Sequence, residues 1–388
     1  MKANRVLSRI VACMIILTLF SSGVLVGYGM GRRDNQQVAE SKVVTEEYPL
    51  IHDEEFGGSF FEITIDDFNK KYDIEYGDSV DIIYSNGTKF TDVPYYNGYY
   101  VKTGEVLMVA YPGYPYMRVG INNGDDIWHL HHLDNNMTLH VELREKAKYL
   151  DIQKARDIHY LDDREKFESD VVFANFRNVT AGNIKEGRLY RSASPCDNQH
   201  NRAPFVDKLI SEANIDFILN LADNESKIEG YLAKDDFNSP YFKSLYDAKK
   251  YVAIAARTNY QSSEFKEKLG YGLQTMLLSD GPYLIHCTEG KDRTGFVLAL
   301  LEAACGATYD EIVDDYMITY KNYYGIDEKD SRYNTIVNEV LADLIESFTN
   351  DEVTDFKKAD LEQHAKNYLL ECGLSYEQVE ELIYKLTN

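Results

Sequence analysis

The sequence predicts an α/β domain with a mostly parallel sheet flanked by helices, preceded by a small β-rich domain. Two contrasts in pattern carry that reading. From about residue 58 to 150, short apolar and aromatic runs alternate with turn signals, among them Asn86-Gly87 and Asn123-Gly124. From about 160 to 388, strand-like runs alternate with stretches of helical spacing, the pattern of parallel sheets.

Before either domain comes a segment unlike both. Lys2, Arg5 and Arg9 precede an apolar run from Ile10 to about Met30, so residues 1–30 read as an export signal or a membrane anchor. Either way the chain is expected to be exported, outside the cell or held on the outer face of the membrane. Residues 31–57 are polar and acidic and read as a tether. In the β-rich part, Val80–Tyr84 and Val106–Ala110 are the clearest strands. Residues 144–167 are charged, partly helical, and join the two halves.

In the second half, Phe217–Leu221 and Tyr283–Ile285 read as strands, and Ser263–Leu278 and Gly295–Cys305 as helices. Thr308 with Glu311 three residues on forms a capping box for a helix reaching Tyr323. Further helices are expected over Asn334–Thr349 and Asp360–Leu386.

Composition narrows the function. The formal net charge is -23, which opposes a general nucleic-acid binder. The apolar fraction of 44% is that of a globular chain. Five cysteines, with no Cys-x-x-Cys pair, make neither a disulfide scaffold nor a zinc framework. Trp128-His129-Leu130-His131-His132 invites a metal reading, with His129 and His131 on one strand face. No acidic or cysteine partner at a diagnostic spacing completes it, so a polar sheet face is preferred and no metal or other cofactor is expected.

The chemistry lies between the Tyr283 strand and the Gly295 helix, in His286-Cys287-Thr288-Glu289-Gly290-Lys291-Asp292-Arg293-Thr294-Gly295. A loop of this length at a helix N-terminus can point successive N–H groups at one centre, which then binds a tetrahedral oxyanion. Thr288, Glu289, Gly290 and Lys291 supply that cradle, and Arg293 can grip two oxygens through its planar fork. Cys287 lies beneath, where the helix dipole favours the thiolate nucleophile. Thr294 can donate its hydroxyl to the sulfur, while His286 shapes the loop. A Walker loop is excluded because Ile285 and Asp292 stand where glycine and Ser/Thr are required. A Cys–His protease reading leaves Arg293 unexplained.

The string His-Cys-x-x-Gly-Lys-Asp-Arg-Thr-Gly resembles the signature of the bacterial protein tyrosine phosphatase-like family, which includes secreted dual-specificity and phosphoinositide phosphatases. Asn175-Phe176-Arg177-Asn178 and Gly187-Arg188-Leu189-Tyr190-Arg191-Ser192 resemble that family's upstream stretches. The resemblance runs from about Phe173 to Tyr324 and implies a cysteine phosphatase acting through a cysteinyl-phosphate. The expected substrate is phosphotyrosine on proteins, with phosphoserine and phosphothreonine also accepted. Lys291, a second cation in the loop, makes a phosphorylated lipid or inositol the alternative substrate. A non-catalytic phosphate-binding protein is the rival from another class.

The resemblance also places Arg191 near the phosphate, with pairing to a carboxylate for structure as its equal alternative. For the general acid it favours Asp292, inside the loop. Asp223, after the Phe217 strand, is second, with a turn or helix cap as its alternative role. Ser194–Arg202 is polar and turn-rich, suited to a lid or rim, with Cys196 a candidate disulfide partner of Cys287.

Overall fold

The computed structural model describes residues 43–159, 161–350 and 353–388. The proposed export segment and most of the tether lie outside them. No helix among the described residues is long and apolar enough to cross a membrane.

Eight strands make the N-terminal sheet: β1 (Tyr48–Pro49), β2 (Ile51–His52), β3 (Ser59–Phe61), β4 (Ser79–Tyr84), β5 (Lys89–Tyr96), β6 (Val106–Val109), β7 (Met117–Ile121) and β8 (Thr138–Glu145). Their order is β1-β8-β4-β5-β6-β7-β3-β2. Leu50 alone separates β1 from β2, which stand at opposite ends of that order, so the sheet curls into a barrel. Phe61, Phe68, Val80, Ile82, Tyr95, Met108 and Val141 fill it, all buried.

Here the tether expectation is corrected. Residues 43–57 belong to the barrel, with β1 paired to β8 and β2 to β3. Tyr48 and Leu50 point into the core while Glu47, Pro49 and Ile51 are exposed. This is a period of two, masked in sequence by the surrounding acidic residues. Asn86-Gly87 does turn β4 into its partner β5, whereas Asn123-Gly124 leads from β7 towards a short helix, Ile127–Leu130.

That helix also corrects the histidine run. His129 is helical and His131 follows the helix, so the two share no strand face. The Asp126 side chain caps the helix at the Trp128 N–H. It also meets His52 at 2.7 Å and His129 at 3.5 Å. Asp126, two residues before Trp128, is thus an acidic neighbour of the run, and His52 reaches it from β2.

The second sheet has the order β12-β11-β13-β10-β9, using β9 (Arg177–Asn178), β10 (Leu189–Ser192), β11 (Phe217–Asn220), β12 (Tyr251–Ala253) and β13 (Tyr283–His286). The first four are parallel and β9 is an antiparallel edge. Successive side chains alternate between two helical layers. Phe217, Leu219, Tyr283 and Ile285 pack with the Ser263–Met276 and Asp292–Ala304 helices. Ile218 and Leu284 pack with Val206, Ile210, Ile228 and Phe242 on the other face. This is the α/β fold read from the sequence.

The Thr308–Glu311 capping box is present, opening the Tyr309–Tyr324 helix. Asn334–Thr349 is less regular than expected, with a π-helical stretch over Ile336–Leu341 before the Ala342–Thr349 helix. Asp360–Leu386 divides into helices Leu361–Glu371 and Tyr376–Thr387. Barrel and α/β domain belong to one unit, residues 42–388.

Candidate active site

The loop Cys287–Lys291 leaves the C-terminal end of β13 and enters the Asp292–Ala304 helix. That helix is buried almost throughout, so packing on every side fixes its first turn. No side chain caps its N-terminus. Its leading N–H groups are therefore left for an anion, the arrangement the sequence suggested.

The loop's shape is forced from outside. Gly290 has φ +70°, and a Cβ there would stand 2.1 Å from the Ser192 carbonyl oxygen. Only glycine fits. Four partners then hold the loop's carbonyls, which turns its N–H groups inward. Arg191 donates to Gly290 O at 2.8 Å and Tyr323 to Glu289 O at 2.7 Å. The Ser194 N–H donates to Thr288 O at 3.0 Å. His286 Nδ1 donates to Cys287 O at 3.0 Å. Because a carbonyl can only accept, that bond places the imidazole proton on Nδ1. Burial lowers the His286 pKa to about 4, so the ring is neutral at pH 7 and is a scaffold rather than a base.

Cys287 is buried at the base of the loop, Thr288 and Glu289 are half-buried, and all four described cysteines are free. The Cys287–Cys196 disulfide is therefore absent from this structure. Cys196 instead lies within 3.4 Å of the Ser194 hydroxyl, and burial pushes its thiol pKa up. Arg293, on the first turn, donates to Ala256 O at 3.3 Å, which aims it from the β12 side. The Thr294 hydroxyl is fully buried with no hydrogen-bond partner among the described residues.

Two expected residues are re-placed. Arg191 is 1% exposed and bonds Asp315, Gly290 O and Thr319. It supports the loop from behind, so of its two expected roles the structure shows the pairing with a carboxylate, and Arg191 positions the loop rather than facing the phosphate. Ser194-Pro195-Cys196 is buried against the loop, so the first part of the expected lid is a wall; its polar hydroxyl and amides are spent on internal bonds.

The two candidate acids differ in surroundings. Asp223 is 2% exposed; it accepts from Asn220 at 3.1 Å and from Tyr231 at 3.2 Å. Asp292 is half-exposed and lines a cleft with Lys291, Tyr260, Tyr316 and Tyr320. Lys291 stands 3.8 Å from Asp292 and 3.6 Å from Glu289. Burial works against its charge, but Asp292, Tyr320, Tyr324 and Glu289 outweigh it and push the pKa well up.

Sequence reasoning missed the group behind the loop. Asp315 pairs with both Arg177 and Arg191, Thr319 receives Asn175 at 3.2 Å, and Tyr323 holds Glu289 O. Burial disfavours the Asp315 carboxylate, yet the two guanidiniums keep its pKa far below the ordinary range. Asp315, Thr319 and Tyr323 recur every four residues on one helix face. That polar stripe, on a side facing the core, was the available signal.

The model of the tyrosine phosphatase family matches residues 173–388, more than half of the chain. The chain belongs to the tyrosine phosphatase family. Within it, the chain is 30% identical over 114 residues to the triple specificity protein phosphatase PtpB of Mycobacterium tuberculosis, covering 27% of this chain and 39% of that protein. It is 31% identical over 116 residues to a tyrosine-protein phosphatase of Nostoc commune, covering 27% and 40%. The match thus spans well under half the length of either relative. Among solved structures, the catalytic domain of the PP-IP phosphatase SIW14 from S. cerevisiae has a TM-score of 0.26 at 19% identity, covering 42% of this chain and 83% of that one. TpbA of P. aeruginosa gives 0.21 at 17%, covering 53% and 91%.

Proposed function

We propose that this tyrosine phosphatase family member is a phosphomonoesterase that hydrolyses phosphotyrosine, and phosphoserine or phosphothreonine, on exported or surface-exposed proteins. The observation that carries the reading is the uncapped helix N-terminus enclosed by a loop whose carbonyls are all turned outward. Such a loop presents N–H groups to an oxyanion, with Cys287 at its base and Arg293 at its rim.

In the first step the Cys287 thiolate attacks phosphorus, forming the P–S bond as the P–O bond to the leaving group breaks. Asp292 protonates the departing oxygen. Water, deprotonated by the resulting carboxylate, then attacks phosphorus and the P–S bond breaks. The Thr294 hydroxyl, buried and unpaired, donates to the sulfur as the thiolate departs. Every step uses the chain's own residues. The basic and apolar start of the chain supports export, and retained as an anchor it would hold the enzyme at the membrane.

A second reading has one observation in its favour. Lys291, Arg156 and Lys102 all line the cleft beside Asp292; a phosphorylated inositol or lipid would draw on them in competition with their present partners, Glu289, Asp292, Asp343 and Glu346. The deciding experiment compares kcat/KM on phosphotyrosine peptides and on phosphoinositides, with Cys287→Ser as the inactive control. Faster turnover of phosphoinositides would reverse the order of the two readings. Cys287→Ser retaining more than about a hundredth of the activity would remove the mechanism.

A further inference from the structure

We propose that the N-terminal barrel is the substrate-reading part of the enzyme, and that an aromatic groove on it binds the polypeptide flanking the phosphorylated residue. The inference rests on the phosphatase reading and gives the barrel a role in it. The cleft that contains Lys291 and Asp292 does not end at the α/β domain. Its opposite wall is the barrel segment 99–103 together with Asn122 and Asn123. Tyr99, Asn122 and Asn123 also line a second groove of about 700 Å³ running onto the barrel. Arg257 closes the catalytic side of that groove. It is exposed and directly follows Ala256, the residue whose carbonyl holds Arg293.

The groove is surfaced by a connected run of rings. Tyr99 and Tyr111 are 6.4 Å apart, Tyr111 and Tyr114 5.7 Å, Tyr114 and Tyr116 5.7 Å, and Tyr116 and Phe60 4.5 Å. Arg118 lies 5.2 Å from the Phe56 ring and 5.6 Å from that of Phe60, and is neutralised by Asp53 at 2.8 Å. The floor is thereby held in place without presenting a free charge. Phe56 is 65% exposed, Tyr114 50% and Tyr111 37%. Rings exposed together beside a catalytic cleft form a contact surface rather than scattered apolar residues. Tyrosine in particular buries large area with few rotatable bonds.

A polypeptide fits this surface better than a membrane does. The whole chain carries a formal charge of -23, which opposes approach to an anionic bilayer. The groove lining includes Tyr111, Tyr114, Tyr116 and Asn123, with Thr258 and Gln261 across the cleft, side chains that can hydrogen-bond a peptide backbone. An extended peptide gains about 3.3 Å per residue, and Tyr99, Asn122 and Asn123, shared by cleft and groove, give it a continuous path from one to the other.

The test uses the full chain carrying Cys287→Ser, which binds without turnover. Its probe is a fluorescein-labelled phosphotyrosine peptide of about a dozen residues with aromatic flanking side chains. Adding Phe56→Ala and Tyr114→Ala, both exposed positions, should raise the peptide Kd about tenfold. Free phosphotyrosine, measured by competition, should lose much less. Tyr384→Ala, exposed on the last helix, should leave the peptide Kd unchanged. Equal peptide affinity with and without the groove substitutions overturns the proposal. So does unchanged peptide affinity accompanied by loss of sedimentation with phosphatidylinositol phosphate vesicles, which assigns the groove to lipid. Turnover of p-nitrophenyl phosphate by the native chain tests the underlying phosphatase reading separately, since that substrate is too small to span the groove.

Discussion

Arg191 and Asp315 form an ion pair behind the catalytic loop, and the other arm of the same guanidinium holds the Gly290 carbonyl at 2.8 Å. One side chain thus ties the loop to the Tyr309–Tyr324 helix. Removing it leaves Asp315 with Arg177 alone and the Gly290 carbonyl without its donor. Arg191→Met should lower stability by about 3–5 kcal/mol, the usual cost of breaking a buried pair from one side. Denaturant unfolding measures it. A loss under about 1 kcal/mol would show that Arg177 carries the pair unaided.

Gly290→Ala tests the loop's geometry rather than its charges. The new Cβ would meet the Ser192 oxygen at 2.1 Å while φ stays positive, so either β10 or the loop must move. Rearranged N–H groups lose transition-state stabilisation, about 2.7–4 kcal/mol for one misplaced oxyanion donor. Turnover should therefore fall at least about a hundredfold. A near-normal kcat in a folded variant would mean that the loop's N–H groups do not cradle the oxyanion.

Much of this site was legible because it is contiguous. Cys287 to Thr294 lie in one segment, and the flanking strand and buried helix announce themselves by apolar runs. The support behind the loop was not legible, because Asn175, Arg177, Arg191, Asp315 and Tyr323 come together only when β9, β10 and the Tyr309–Tyr324 helix pack. Arg191 showed the limit most clearly. Its sequence context left it between a phosphate ligand and the partner of a carboxylate, and the carboxylate that decides the matter lies 124 residues away. The β1–β2 segment was missed for a related reason: two inward side chains, Tyr48 and Leu50, are too few to register as a strand among acidic neighbours.

The neutral His286 predicts an acid-side loss of stability. Its pKa falls from an ordinary 6.5 to about 4 on folding, chiefly through burial. Below pH 6.5 the unfolded chain takes up a proton that the folded chain refuses until about pH 4. Stability contributed by the neutral ring is therefore complete above pH 6.5 and declines as pH falls, by about 3 kcal/mol at pH 4. His286→Asn should remove that part of the slope in urea melts between pH 7 and 4.5. An NMR titration of the His286 ring with a midpoint near 6.5 would contradict the argument even if the variant did not fold.

The proton donor is separable by leaving group. p-Nitrophenol leaves as a stable anion, so its phosphate ester gains little from an acid, whereas phosphotyrosine and alkyl phosphates need the proton. Asp292 is half-exposed and lines the cleft, while both oxygens of buried Asp223 are engaged by Asn220 and Tyr231. Asp292→Asn should therefore slow phosphotyrosine about 10²–10⁴-fold, the usual contribution of a general acid, and p-nitrophenyl phosphate far less. It should also remove the alkaline limb of the pH–rate profile on phosphotyrosine. Asp223→Asn keeps a side chain that can still accept from Tyr231, and its losses should be similar on both substrates, as expected of a residue that supports the strand end. The reverse ranking would make Asp223 the donor and require it to leave its partners during turnover. Equal, substrate-independent losses from both variants would place the donor elsewhere in the cleft, whose other carboxyls are Asp343 and Glu346, with burial raising the pKa of Asp343 to about 6.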